Sequence, residues 1–397
     1  MTQLPLTGLR VVSVEQYGAG PFGSLYLAHL GAEVIKIESP AGGDSSRASG
    51  PHFLGEHDSQ FFQTFNQGKR SLTLDLKSEA GQEVLRRLAG SAQAVMNNLR
   101  GDQPAKLGLD YAALGPVRRD LVCLHLSGYG RTGPRAAWPA YDYLMQAEAG
   151  FMHLTGEPDG PPTRMGLSVV DYLSGITAAF ALMASVWGAG RSGTGQDVDV
   201  ALYDVAIHQL TYPGTWYLNA GEETERRPRS GHPYVVPCEL LPTADGHVFV
   251  MCVLPKFWEA LARAMEVPEL IDDPRFATPA DRRANRDALA EALDARSRRA
   301  TTDEWLERFA GRVPAAPVRT LPEALDNPYL EEVGGIGEVD HPAAPGLRLL
   351  RSPIRLGGER LPMAPGPALG ADSDAILGEI GYDAAARAAL RAQGTVR

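Results

Sequence analysis

The sequence predicts an α/β protein built on a parallel sheet, and three observations carry that expectation. Short apolar runs alternate with segments of helical period from Leu9 to Leu126, and strands alternating with helices imply parallel pairing with ligands at the carboxyl ends of the strands. A glycine-rich turn, Gly18-Ala19-Gly20-Pro21-Phe22-Gly23, follows the first run and opens a helix. Composition is that of a globular chain, 44% hydrophobic and 22% charged over 397 residues, which allows two domains or one elaborated one.

In order, Leu9 to Val14 reads as a buried strand, followed by a helix carrying Leu25, Leu27 and Leu30 that Gly31 stops. Glu33 to Glu38 is the second strand. Ser59 to Phe65 reads as helix, Ser71 to Leu76 as strand, Glu79 to Leu88 as helix, Ala92 to Met96 as strand and Leu121 to Leu126 as the fifth strand. Tyr141 to Gln146 has a helical pattern. A Gly/Pro-rich turn, Gly156 to Pro162, leads into an apolar segment, Met165 to Trp187, and a short alternating strand, Asp197 to Ala201. Composition shifts after about Gly221. Cys238 to Leu241 and His247 to Val253 flank Asp245-Gly246, a hairpin signal. Helices are expected at Pro255 to Met265, Arg282 to Arg298 and Thr302 to Phe309, giving a small α+β domain, and at Asp372 to Ile380 and Ala384 to Gln393 near the end of the chain. The blocks are 1–220, 221–325 and 326–397.

Charge and cysteine usage narrow the function. A net charge of −10 without a basic stripe argues against nucleic acid as a partner. Cys123, Cys238 and Cys252 are far apart and odd in number, which fits a reducing compartment. The N-terminus shows no signal-peptide core, and the run Ile176 to Trp187 is too short to span a bilayer, so a cytoplasmic protein without membrane contact is expected.

Several chemistries can be weighed on residues alone. Gly18 to Gly23 with an acid, Glu38, beyond it approaches the dinucleotide fingerprint. Pro21, however, has no amide to turn toward a pyrophosphate, and a long polar loop follows the acid. The histidines show no metal-ligand spacing, so no metal is expected. His232 and Cys238 could form a thiol–imidazole pair, against which stands an ordinary buried cysteine. Lys36, Lys69, Arg70, Lys77, Arg100 and Lys106 are singly ordinary surface charges, but they gather near successive strand ends and point to a phosphate-bearing ligand. Asp171 interrupts an apolar stretch between Val169-Val170 and Tyr172-Leu173. It is either an N-cap for the following helix or a chemical group.

At these residues the chain resembles the family III CoA-transferases, a group that also includes the α-methylacyl-CoA racemases. The resemblance is carried by L-R-V-V-S-V, G-A-G-P, L-G-A-E-V-I-K-I-E, N-Q-G-K-R-S-L-T-L-D-L-K-S, N-N-L-R-G-D-Q-P-A-K-L-G-L-D-Y, S-G-Y-G-R-T-G-P, Y-D-Y-L-M-Q-A-E-A-G, G-P-P-T-R-M-G-L-S-V-V-D, S-G-H-P-Y-V-V-P and T-A-D-G. It implies a Rossmann-like large domain with a parallel sheet built from both chain ends, a small domain between them, and an interlocked homodimer. It implies Asp171 as the nucleophile. The substrates implied are a coenzyme A thioester and a carboxylic acid acceptor, with no tightly bound cofactor. The implied CoA contacts are Gly18, Ala19, Leu74, Lys77, Asn98, Leu99, Lys106 and Tyr141. Lys106 stands where an Arg is common, Asn97 replaces a Glu and Ser39 a basic residue. No glycine-rich lid is visible between Asp204 and Pro237, which disfavours formyl-CoA as donor. A racemase would need a His and a Glu where Tyr141 and Leu254 stand, so transfer is favoured over racemisation or silent acyl-CoA binding.

Overall fold

The structure, a computed structural model, describes residues 3–397. By internal contacts it divides into two units, one of Met1–Ala149, Gly166–Gln209 and Pro328–Arg397, the other of Gly150–Met165 and Leu210–Asn327. Gly150–Met165 and Leu210–Ala220, which the sequence blocks place in 1–220, thus belong by their contacts to the second unit.

The first unit is built on six strands: β1 (Arg10–Val14), β2 (Glu33–Glu38), β3 (Arg70–Thr73), β4 (Ala94–Asn97), β5 (Val122–Ser127) and β6 (Gln196–Ala201). They lie in the order β3-β2-β1-β4-β5-β6, and every pairing is parallel. The order reverses between β1 and β4, and a ligand crevice is expected at their carboxyl ends. The central strands are apolar on both faces because helices cover both. On one face α3 (Glu79–Gly90) brings Val84, Leu85 and Leu88 against Val12, Ile35, Leu72 and Val95. Ile376 and Leu377 of α12 (Ser373–Glu379) and Leu390 of α13 (Ala384–Ala392) complete that core. α1 (Ala19–His29) and α5 (Val169–Ser192) pack on each other, and α5 also meets β5 and β6.

The C-terminal segment therefore enters the unit through helices and a hairpin, Ile336–His341 with Ala344–Leu350. It adds no strand to the parallel sheet, all of which lies between Arg10 and Ala201. This corrects the expectation of a sheet drawn from both chain ends. The apolar segment also runs further than its sequence run. Ser174, Gly175 and Thr177 do not break α5, whose 24 residues are long and apolar enough to cross a membrane by length and composition alone.

In the second unit, β7 (Cys238–Pro242) and β8 (His247–Met251) form the hairpin around Asp245-Gly246, and β9 (Ala315–Pro317) adds to β8. α8 (Pro255–Ala264), α10 (Arg286–Ser297) and α11 (Thr302–Phe309) surround a core of Trp258, Leu261, Phe276, Leu293, Trp305 and Phe309. The helix expected over Arg282 to Arg298 is interrupted at Asn285, whose side-chain amide donates to the Arg275 and Asp281 carbonyls. The thiols of Cys123, Cys238 and Cys252 are all buried, and burial pushes each above its ordinary pKa. No thiol–imidazole pair forms at Cys238. His232 Nδ1 instead accepts from the backbone N–H groups of Tyr234 and Val235 at 3.0 and 2.9 Å.

Candidate active site

Asp171 is the third residue of α5, beyond the N-cap position at Ser168, and its carboxylate accepts no hydrogen bond from the first-turn amides among the described residues. It is not a cap. Its own N–H donates to Asp142 Oδ2 at 2.9 Å. Asp142 opens α4 (Asp142–Glu148) and is buried, with its other oxygen accepting from Gln146 Nε2 at 2.6 Å. Burial, and then the neighbouring Asp142, pushes the Asp171 carboxyl up to about 7. A carboxylate desolvated in this way, with no cation beside it among the described residues, is basic and nucleophilic compared with one in water.

The glycine turn meets this carboxylate directly. A β-carbon on Gly18 would lie 2.5 Å from Asp171 Oδ2, so any larger residue there would push the carboxylate aside. The register is set one turn deeper, where α1 and α5 cross backbone to backbone. A β-carbon on Gly23 would lie 2.4 Å from the Gly175 carbonyl oxygen, and one on Gly175 would lie 2.4 Å from that of Ala19. The glycine pattern that resembles a dinucleotide fingerprint thus serves helix-on-helix contact. Glu38, the acid of that fingerprint, is buried and held by Arg47 Nε at 2.7 Å and Nη2 at 2.8 Å, so it has no oxygen to spare for a ribose.

The loop between β1 and Gly18 is strained and firmly held. Tyr17 has φ +68°, a left-handed conformation that costs a residue with a β-carbon about 1–3 kcal/mol. Its N–H donates to Asp44 Oδ1 at 3.0 Å. Asn98 accepts from the Gln16 N–H at 2.9 Å and donates to the Gln16 carbonyl at 2.7 Å. Lys36 and Lys69, read from sequence as exposed phosphate ligands, are fully buried beneath this loop. Lys36 Nζ pairs with Asp44 at 2.8 Å and Lys69 Nζ with Glu15 at 2.9 Å. Burial lowers Lys69 to about 8, whereas the carboxylates Asp44, Glu15 and Glu38 outweigh burial at Lys36 and raise it. Arg70 is paired as well, with Glu33 and Glu379. The expectation that these three bind phosphate is corrected: each has a carboxylate partner from elsewhere in the chain.

The remaining expected contacts fall on the same carboxyl edge in different settings. Gly18 and Ala19 follow β1; Leu74 follows β3; Asn98 and Leu99 follow β4. The Leu74 side chain is buried in the core, and its N–H donates to the Glu38 carbonyl at 2.8 Å. Lys77 is exposed, and Lys106 is exposed but bonded to Asp102 at 2.7 Å, which Arg100 shares. Gln82 Nε2 joins the two lysine-bearing turns by donating to the carbonyls of Leu76 and Leu107 at 2.6 and 3.0 Å. Tyr141, at the N-cap of α4, is 68% exposed.

Sequence reading misses an aromatic wall beside the carboxylate. Tyr172 packs on Phe22 and Phe65 with ring centroids 4.7 and 6.1 Å apart, and Phe61 links Phe65 to Tyr17 at 5.2 and 4.9 Å. The rings come from separate elements, and only the spacing of Phe61, Phe62 and Phe65 within Gln60–Phe65 hints at it. Such a wall keeps water from an activated acyl group.

The site is therefore a half-buried carboxylate, with no cation beside it among the described residues, set against a glycine turn at the switch point of a doubly wound sheet, an arrangement suited to acyl transfer. The comparisons specify the class: the family model for CoA-transferase family III matches residues 6–373, and the chain belongs to that family. It is 34% identical over 395 residues to the succinate–glutarate CoA-transferase of Agrobacterium fabrum, covering 95% of this chain and 96% of that protein. It is 34% identical to the succinyl-CoA:mesaconate CoA-transferase of Haloarcula marismortui, over 95% of this chain and 97% of that protein. Among solved structures, a CaiB/BaiF family protein from Brucella suis matches with a TM-score of 0.82 and 34% identity, covering 96% of this chain and 100% of that one. A hypothetical protein from Mycobacterium tuberculosis matches with a TM-score of 0.83 and 30% identity, over 94% and 99%. The protein is thus an enzyme that transfers CoA, on the α/β fold with a six-stranded parallel sheet that these neighbours share.

Proposed function

We propose that the protein moves CoA from an acyl-CoA to a dicarboxylic acid, with Asp171 as the covalent nucleophile. The supporting observation is the Asp171 carboxylate against Gly18, with no cation beside it among the described residues. An Asp171 oxygen attacks the thioester carbonyl, the C–S bond breaks, and a mixed anhydride and CoA thiolate result. The thiolate then attacks the aspartyl carbonyl and expels the donor acid, leaving an aspartyl-CoA thioester. The acceptor carboxylate attacks that thioester, and the returning thiolate takes the acceptor acyl group and restores Asp171. The first-turn amides of Ala19 and Gly20 are the donors best placed for the transient oxyanions, since Pro21 has none. The main chain of Leu74 and Leu99, with Lys77 and Lys106, would line the CoA path. A dicarboxylate acceptor is supported by the names of the relatives, which act on glutarate, mesaconate and, in Acetobacter aceti, oxalate.

The working form proposed is an interlocked homodimer in the cytoplasm. Ile176, Phe180 and Trp187 share one face of α5 and are 44%, 75% and 71% exposed in the single chain, an apolar stripe that a second copy would cover. Light scattering giving the mass of one chain would refute the dimer. For the chemistry, the enzyme is incubated with succinyl-CoA and hydroxylamine and then digested. A hydroxamate on the peptide carrying Asp171 is expected. Its absence during turnover, or undiminished transfer by Asp171→Asn, would overturn the mechanism.

A further inference from the structure

Glu15, Gln16 and Tyr17 separate β1 from Gly18, and none takes part in the sheet ladder. Side chains from three other elements hold this turn instead. Lys36 Nζ donates to the Glu15 carbonyl at 2.8 Å. Asn98 grips both backbone groups of Gln16, and Asp44 accepts the Tyr17 N–H at 3.0 Å while its other oxygen lies 2.8 Å from Lys36 Nζ. The turn so held contains a left-handed tyrosine, and the next residue is the glycine that abuts Asp171 Oδ2.

From this geometry we infer that Asp44 and Asn98 are positioning residues for CoA transfer, acting through Tyr17 and Gly18 to hold the main chain against the Asp171 carboxylate. The inference rests on Asp171 as nucleophile. It gives Asn98 a task different from the CoA contact that the family resemblance implies, because both ends of its amide are already engaged. If either grip is lost, Tyr17 relaxes out of the left-handed region and carries Gly18 with it. A displacement of about 1 Å at a reacting group costs about 100-fold in rate.

The test compares Asn98→Ala and Asp44→Asn, each alone and combined with Tyr17→Gly, in CoA transfer from succinyl-CoA to glutarate. Each single variant is expected to lose about 100-fold in kcat, with the KM for succinyl-CoA changed less than about threefold. Tyr17→Gly tolerates the left-handed turn without strain but also removes a ring of the aromatic wall, so it is run alone as the control, and against that background the losses from Asn98→Ala and Asp44→Asn are expected to shrink about tenfold. A rise in KM without a fall in kcat would make Asn98 a CoA ligand and overturn the inference, as would unchanged kcat or a loss that Tyr17→Gly does not rescue. Asp171→Asn is run alongside. If it keeps transferring CoA, the nucleophile reading fails. If it is dead while the turn variants are fully active, only the positioning role fails. Asn98 is half-buried and outside the ion-pair network, so its variant remains informative if Asp44→Asn does not fold.

Discussion

Two sets of carboxylates lie at the carboxyl edge of one sheet and meet opposite surroundings. Glu15, Glu38 and Asp44 are each enclosed with a cation. Burial alone would raise them, yet Lys69 and Lys36 hold Glu15 down, Arg47 and Lys36 hold Glu38 down, and Lys36 holds Asp44 down. Asp171 is enclosed with another carboxylate and rises to about 7. The contrast separates scaffold from reagent. A buried acid with its counterion holds a loop, and a half-buried acid without one is left to react.

That contrast can be broken at either end. The largest effect is expected from Asp171→Asn, which should cut transfer by on the order of 10³-fold or more. The same change should raise the melting temperature at pH 8. Because its pKa is raised in the folded protein, ionising Asp171 opposes folding progressively from its ordinary 3.8 to about 7. An amide escapes that cost, so the melting curves of variant and wild type should converge near pH 4. On the scaffold side, Arg47→Leu leaves Glu38 buried without its bidentate partner and should lower stability by about 3–5 kcal/mol in urea titration. Stability supplied by the scaffold acids is present above their ordinary range and is lost as pH falls through their lowered values, the reverse of the Asp171 trend.

Gly18→Ala sharpens the comparison at the reagent, where the new methyl would displace Asp171 Oδ2 from 2.5 Å. A fall of about 100-fold in kcat is expected, with the fold retained by circular dichroism. The smallest effect concerns pH. kcat/KM should rise with pH through about 7 as Asp171 ionises, and Asp142→Asn should move that limb to lower pH by removing the like charge. A limb that stays in place would mean that Asp142 does not set the basicity of Asp171.

How much of this was legible follows from the range over which each feature is encoded. The strands of the sheet are local apolar runs, and Val11-Val12 and Val34-Ile35 show them without help from the rest of the chain. Asp171 was conspicuous because a lone acid in an apolar stretch is a local anomaly. Lys36 and Lys69 were misread because their partners, Asp44 and Glu15, come from other elements, and nothing near a lysine in sequence says that it is buried. The helix Thr211–Ala220 was hidden by Pro213 and Gly214 within it. Gly175 carries no local signal of its role, because its crossing with Gly23 exists only after folding.

Where Gly23 meets Gly175, α1 and α5 touch main chain to main chain. The gap between the loop that would cradle the thioester and the group that would attack it is therefore fixed by the thickness of peptide backbone, a dimension that amino-acid replacement cannot tune. Any divergence in which acid is accepted must be written on other walls of the cavity, and laboratory evolution aimed at new acyl groups would do well to leave these glycines out of its libraries.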